Sequence, residues 1–324
     1  MKVLVIGLGS MGKRRIRLIR EYDSSIELCG IDTSRERRRE VEERYGIPTT
    51  ESLLEIEING YDCAFIATSP LSHSRLIREC LLKNMHVFTE INLVSDGYDD
   101  NISLAEERRK VLFLSSTFLY REEIRYIGER ARRSALPSNY VYHVGQYLPD
   151  WHPWESYQDY FIGDKRTNGC RELFAIELPW ILHAFGDVKN LYSIKGRNTG
   201  LTIDYPDHYM VGLEHEGGSR GTMAVDVISR KAVRRLEVFS EELYLSWNGT
   251  PESLCEYDYE LNEERQIRLY DKVERNGGYS DFIVENGYLH EIEAFFAQIE
   301  AGTAPVYNFA QDKRTLEIID MICK

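Results

Sequence analysis

Met1-Lys2-Val3-Leu4-Val5-Ile6-Gly7-Leu8-Gly9-Ser10-Met11-Gly12 opens the chain, and its reading decides the fold. Val3 to Ile6 is an apolar run of strand length, and Lys13 to Glu21 continues as a helix-like segment. A second strand-like run, Ile26 to Ile31, ends on Asp32. Each glycine has a reason. Gly7 lets the chain turn sharply out of the strand. Gly9 has no side chain, so backbone N–H groups can approach a pyrophosphate. Gly12 lets the helix pack closely on the strand. The helix N-terminus then faces phosphates with unpaired N–H groups and a partial positive charge. Asp32 stands about 20 residues beyond the last glycine, where a carboxylate can accept hydrogen bonds from ribose hydroxyls. Gly7, Leu8, Gly9, Ser10, Met11, Gly12, Asp32 and the adjoining Thr33 therefore form the expected dinucleotide site. Asp32 would repel a 2′-phosphate, which favours NAD, while Thr33, Ser34 and Arg35 leave NADP open.

The 324 residues suffice for two domains and a sizeable core. With 43% hydrophobic and 29% charged residues the composition is that of an ordinary globular protein. A net charge of −13 argues against nucleic acid or an anionic membrane as the main partner. Two basic clusters cut across that balance: Lys13-Arg14-Arg15 with Arg17 and Arg20, and Arg35 with Arg37-Arg38-Arg39. Both fall on expected helices and read as solvated faces, with room for one arginine near the cofactor. The six cysteines are scattered, with no CxxC pair and no Cys/His cluster at metal spacing. No metal is expected, and a reducing, cytoplasmic setting fits. The apolar start is too short for a signal peptide, and no stretch is long enough to span a bilayer.

After Asp32, Ser34 to Tyr45 reads as a helix with Ser34 as N-cap, stopped by Gly46 and Pro48. Ser52 to Ile58 reads as a short helix. Tyr61 to Thr68 is a buried strand that leads through Ser69-Pro70-Leu71-Ser72-His73 into a helix. His86 to Thr89 is the next strand, closing on Glu90-Ile91-Asn92. Alternating strand and helix imply right-handed βαβ units and a parallel sheet. Ligands of such sheets bind at the carboxyl ends of the strands. Tyr98–Arg109 and Arg121–Arg133 read as helices, with a strand at Val111–Ser115. Beyond Pro137 the runs at Tyr140–Tyr147, Leu191–Lys195, His208–Glu214, Gly221–Ile228, Ala232–Phe239 and Glu242–Trp247 alternate polar and apolar residues. A sheet wet on one face does this. Two closing helices, Tyr288–Ile299 and Asp312–Cys323, follow. The expected class is α/β: a Rossmann domain over residues 1–120 and a second α/β domain over 121–324 with an open, largely antiparallel sheet.

This order of motifs resembles the Gfo/Idh/MocA family of NAD(P)-dependent sugar and cyclitol oxidoreductases, over essentially the whole length. In the first domain the resemblance rests on Gly7–Gly12, Asp32, and Ala67-Thr68-Ser69-Pro70 with His73, similar to the family's A-T-P-x-x-x-H segment beside the nicotinamide ribose. In the second, Gly145-Gln146-Tyr147-Leu148-Pro149-Asp150-Trp151 and Ser229-Arg230 resemble a branch associated with surface-polysaccharide sugars. The resemblance implies that Thr68, Ser69, Pro70, His73 and Glu90 line the cofactor. It also implies a carbohydrate or cyclitol substrate, and a homo-oligomer formed through the second-domain sheet.

The catalytic motifs of the family are replaced. Its Glu-Lys-Pro segment is Glu90-Ile91-Asn92, so the orienting lysine is an isoleucine. Its second-domain Asp-x-x-x-His helix, often with a further Asp, is Arg171 to Pro179: Glu172 takes the first Asp, Ile176 the His and Pro179 the later Asp. Pro179 is expected to kink the helix or begin a new one. Removing a hydroxyl proton needs a side chain within reach and with a suitable pKa. Glu177, Glu172 and His152 are the candidates, with Glu155, Lys165 and His183 behind them. Trp151, Trp154 and Tyr157 form either a core aromatic cluster or a sugar-stacking platform. Two other readings stand beside the dehydrogenase: a redox-inactive sensor or scaffold that binds NAD or a sugar, and an NAD-assisted lyase or glycosidase without net redox.

Overall fold

The computed structural model describes residues 1–324 apart from 58, 153–154 and 276–281. Trp154, and Ile58 at the end of the expected short helix, lie outside the described residues. The chain divides into two units, Met1–Thr117 with Tyr288–Lys313, and Phe118–Gly287 with Arg314–Lys324. The expectation was one cut near residue 120.

Unit 1 holds a six-stranded sheet. Its strands are β1 (Lys2–Ile6), β2 (Glu27–Ile31), β3 (Thr49–Thr50), β4 (Cys63–Ile66), β5 (His86–Thr89) and β6 (Leu112–Leu114). The order is β3-β2-β1-β4-β5-β6, every pair parallel. This is the doubly wound order whose switch point lies between β1 and β4. The helices α1 (Ser10–Tyr22), α2 (Arg35–Tyr45), α3 (His73–Leu82) and α4 (Tyr98–Arg108) alternate with the strands. Ser34 caps α2 by accepting the Arg37 N–H, and Gly46 ends it in the left-handed region. The segment 288–313 returns to this unit because Phe295 packs edge-on against Phe65, Phe88 and Phe113 at 5.2–5.7 Å. Each of these four rings is fully buried and contributes roughly 1.5–3 kcal/mol.

Unit 2 carries α5 (Glu122–Arg133), β7 (Asn139–Gly145), α6 (Gly169–Phe185), β8 (Val188–Gly196), β9 (His208–His215), β10 (Arg220–Asp226), β11 (Val233–Phe239), β12 (Tyr244–Trp247), β13 (Cys255–Asp258) and β14 (Glu263–Gln266). Its eight strands run β14-β13-β12-β11-β7-β10-β9-β8, antiparallel except where β7 meets β10. Alternation along β7 places Tyr140, Tyr142 and Val144 in the core and leaves Val141 49% exposed. Tyr192, Ile194 and Met210 are exposed likewise on β8 and β9, so one face of the sheet is open.

A strand pair and a helix differ from expectation. The pair β13–β14 has no sequence signal, because β14, Glu263-Glu264-Arg265-Gln266, is exposed throughout and has no apolar face to alternate. Helix α6 runs unbroken through Pro179. The proline's fixed φ is compatible with a helix, and the lost hydrogen bond is offset by burial of Leu178, Pro179, Trp180 and Ile181.

Candidate functional site

The glycine turn of unit 1 is shaped by contact. A Cβ on Gly12 would lie 1.8 Å from the Gly7 carbonyl oxygen, so helix and turn could not close with any other residue. Gly7 has φ +92° and a Cβ there would meet the Ala67 carbonyl at 2.5 Å. Around Gly9 the nearest atom to such a Cβ is Arg37 Nη1, at 3.9 Å. Gly9 is thus the open glycine, and it is also the N-cap of α1, which no side chain caps. Space over Gly9 and an uncapped helix start fit a pyrophosphate. Leu8 is buried, whereas Ser10 is exposed and Met11 half-buried.

Asp32 closes the second side. Its Oδ2 accepts the Leu8 N–H at 2.8 Å and its Oδ1 the Ser34 N–H at 2.8 Å. Each carboxylate oxygen keeps a lone pair for a ribose hydroxyl. Arg37 Nη1 lies 3.8 Å from Oδ2, and Arg38 donates to the carbonyls of Asp32 and Thr33. The second basic cluster therefore supplies a guanidinium at the mouth of the cradle. Thr33 itself is exposed.

On the neighbouring rim, Thr68 Oγ1 meets Ser72 Oγ at 2.7 Å and Ser72 donates to the Ser69 carbonyl, which fixes the turn through Pro70. Pro70 is buried and Ser69 exposed. His73 is buried, with both ring nitrogens engaged. Nε2 donates to the Thr68 carbonyl at 3.0 Å, and Nδ1 lies 2.7 Å from Asn92 Oδ1 and 3.2 Å from Thr89 Oγ1. Burial holds the ring's pKa below its ordinary value, so it is neutral at pH 7. His73 ties the β4–α3 turn to the segment after β5 and presents no free nitrogen.

Glu90 is held too. Arg15 donates to both its oxygens, at 2.6 and 3.0 Å, and to Glu291 at 2.8 Å. Glu291 also accepts from Ser115, the Ser116 N–H and Thr117. Arg15 is fully buried and lies over the Phe88 ring. The first basic cluster is thus not simply a solvated face: Arg14 and Arg15 are both buried. The signal was spacing. Arg15 shares a helix face with Gly12, Ile16 and Ile19, the stripe that packs inward.

In unit 2 the catalytic candidates separate. Glu177 is buried, and its Oε1 receives Arg234 Nε at 2.9 Å and Nη2 at 2.8 Å. Its Oε2 receives Tyr142 Oη and Trp180 Nε1, both at 2.7 Å. Four donors saturate this carboxylate, and it braces α6 against β7 and β11. His152 Nδ1 pairs with Glu155 at 2.8 Å, and its ring stacks on Tyr160 at 4.6 Å. Lys165 is exposed in its loop, and His183 is exposed at the far end of α6. Along an unbroken helix His183 stands roughly 16 Å from Glu172, and the two are not brought together. Trp151 donates to the Gln146 carbonyl and Tyr157 Oη accepts the Thr202 N–H, so both are anchored loop residues.

Glu172 differs from all of these. It lies in the first turn of α6, where Asn168 caps the helix through the Arg171 N–H. Its Oε2 is buried and has no hydrogen-bond partner. Burial alone pushes its pKa up to about 7. Tyr160 Oη is likewise buried without a hydrogen-bond partner, as is Tyr205 Oη. No sequence pattern announced Tyr160, Tyr205 or Arg234, because each acts on a residue remote in the chain. Among the described residues, no group of three His, Cys, Asp or Glu side chains could hold a metal ion. No helix among them is long and apolar enough to cross a membrane.

Residues 1–115 match the family model described as "Oxidoreductase family, NAD-binding Rossmann fold" (GFO_IDH_MocA). Myo-inositol 2-dehydrogenase of Thermotoga maritima is 23% identical, covering 98% of this chain and 93% of the relative. Among solved structures, levoglucosan dehydrogenase in complex with NADH superposes with a TM-score of 0.81 at 14% identity, covering 99% and 95% of the two chains. UDP-N-acetylglucosamine 3-dehydrogenase from Acidithiobacillus ferrooxidans gives 0.76 at 17% identity, covering 100% and 96%. The two superpositions show a shared fold. The glycine cradle and the parallel sheet thus lie within the 115 residues that match the NAD-binding Rossmann model of the oxidoreductase family.

Proposed function

We propose that the chain is an NAD-dependent oxidoreductase of a carbohydrate or cyclitol alcohol, and that Glu172 exchanges the hydroxyl proton. Two observations support it, each within its own unit: an open glycine cradle in unit 1, and in unit 2 a carboxyl on α6 whose buried Oε2 has no hydrogen-bond partner. Gly7 to Gly12 and Asp32 would hold the dinucleotide, with Thr33, Thr68, Ser69 and Pro70 along the rim. Bound NAD supplies the hydride acceptor. A carboxyl with a pKa of about 7 is ionised in half the molecules at neutral pH. It can therefore take the proton in one direction and return it in the other. Glu177 cannot serve this way without leaving Arg234 buried and uncompensated, so it is assigned to bracing. His152 is assigned to orienting Tyr160.

NADH fluorescence on titration with pure protein tests the cofactor; no binding at millimolar NADH contradicts the reading. Replacement of Glu172 by Gln is expected to lower turnover by about 10²–10⁴-fold with cofactor affinity unchanged, and an unchanged turnover removes Glu172 from the mechanism. One observation favours a redox-silent reading instead: Ile91 and Ile176 stand where the family resemblance places a lysine and a histidine. Tight NAD binding with no NADH formed from a broad panel of sugars and cyclitols would establish it.

We also propose that the chain assembles with itself through the open face of the unit 2 sheet. Tyr192 and Ile194 are 76% and 74% exposed there, and Val141 and Met210 continue the apolar surface. Light scattering that returns the monomer mass at micromolar protein would contradict this. The six cysteines are all free, which supports a reducing cytoplasmic setting.

A further inference from the structure

Arg15 lies on α1, the helix that opens on the glycine cradle, and is fully buried. Its guanidinium is shared between two carboxylates of unit 1. Nε and Nη2 grip Glu90 at 2.6 and 3.0 Å, and Nη2 also reaches Glu291 Oε2 at 2.8 Å and Ser115 Oγ at 3.2 Å. The Phe88 and Tyr288 rings lie against it at 4.5 and 5.4 Å, and Arg14 is buried over the same Tyr288 ring at 4.4 Å. Desolvating such ions costs more than their attraction readily returns, so stability alone is a poor account of the cluster. The two carboxylates also differ. Glu291 is wholly buried and takes the Ser116 N–H and the Ser115 and Thr117 hydroxyls besides Arg15. The Glu90 side chain is 12% exposed and takes its donors from Arg15. Its backbone N–H donates to the Ile66 carbonyl at 3.0 Å, which sets the carboxylate at the carboxyl end of the sheet, just past β5.

A dinucleotide lies across the switch point of such a sheet, one half on each side. Asp32, at the end of β2, stands on the adenosine side. Glu90, at the end of β5, stands on the other side, which is left for the nicotinamide. Ile91, next in the chain, brings no charge there. The oxidised nicotinamide ring is positive and the reduced ring neutral, so a charge on this rim acts on one form and not the other. We propose that Arg15 is a positioning residue for the cofactor site. By gripping Glu90 it holds that carboxylate at the rim and offsets its charge, and so sets the relative affinity for oxidised and reduced NAD. The inference rests on the NAD reading above and deepens it. Arg14, Arg15, Glu90 and Glu291 together carry no net charge, so loss of any one leaves a full charge in a poorly screened setting. The sign follows. Without the Glu90 charge the cluster is positive and disfavours the oxidised ring. Without the Arg15 charge Glu90 is uncompensated and favours it.

The test is calorimetric titration of the full chain at pH 8 with NAD⁺ and with NADH, for the wild type and for E90Q, R15M and R15K. E90Q keeps Arg15 paired with Glu291 and is expected to weaken NAD⁺ relative to NADH by about 5–30-fold. R15M is expected to move the ratio the other way by a similar factor. R15K keeps the charge and is expected to stay within about twofold of the wild-type ratio. A role confined to packing would lower both affinities together and leave the ratio where it was. An unmoved ratio in E90Q overturns the proposal, and so do shifts of the same sign in E90Q and R15M. E90Q decides alone if R15M does not fold. A wild type that binds neither form takes down the NAD reading and this proposal with it. Opposed shifts, with no alcohol oxidised, uphold the proposal while the dehydrogenase reading fails.

Discussion

Glu172 and Glu177 occupy the same helix of unit 2, yet they have opposite chemistry. Glu177 is buried among four donors, as part of a brace between α6, β7 and β11. Glu172 is half-buried with its Oε2 buried and unanswered, and its pKa rises to about 7. Burial by itself therefore does not make a proton-exchanging group. Burial without compensation does, because only then is the neutral form close in free energy to the charged one. Three phenols repeat the contrast: Tyr142 donates to Glu177, while Tyr160 and Tyr205 donate to no one.

The comparison breaks most visibly through Glu177. Glu177→Leu strands the Arg234 guanidinium and two further donors, and should cost about 3–5 kcal/mol of stability in urea unfolding. A loss below about 1 kcal/mol would mean that the four hydrogen bonds do not brace the unit. Next comes the pH dependence of stability at Glu172. Its folded pKa of about 7 lies above the ordinary 4.5, so the native state binds the extra proton between those values. Stability from this group is highest below pH 4.5 and falls as pH rises through 7, by roughly 3 kcal/mol in all. Glu172→Gln should abolish that component, and parallel stability curves for the two proteins would show the carboxyl to be unperturbed. The smallest effect is at the phenols. Tyr142→Phe removes a hydrogen bond to a charged acceptor and should cost about 1.5–3 kcal/mol, where Tyr160→Phe should cost nothing. Equal losses would erase the distinction between satisfied and orphan hydroxyls.

The cofactor half was largely legible because its determinants are local. Gly7, Gly9 and Gly12 act on their own turn, and the strand–helix alternation that follows sets the parallel sheet. The open second sheet was legible from alternation in β7 to β12 and invisible in β13, half-buried throughout, and β14, exposed throughout. Pro179 was read as a break because the rule is local, and the tertiary burial around it prevailed. Arg15 was read as solvated from its charge, though Glu90 and Glu291, far along the chain, make its burial tolerable. Glu172 and Glu177 could not be ranked from sequence for the same reason. The partners that silence Glu177 are Tyr142 and Arg234, each on a different strand, and the absence of partners at Glu172 is a fact of packing. His73 carries the family motif, and the structure shows its nitrogens spent on Thr68 and Asn92.

The most direct measurement is a carboxyl titration by NMR of the chain labelled with ¹³Cδ-glutamate, compared with its Glu172→Gln variant. The resonance missing from the variant belongs to Glu172. It is expected to titrate with a midpoint near 7 in the wild-type protein and to move when NADH and a neutral polyol are added. A midpoint near 4.5, unmoved by either ligand, would contradict the assignment of Glu172 as the proton-exchanging group.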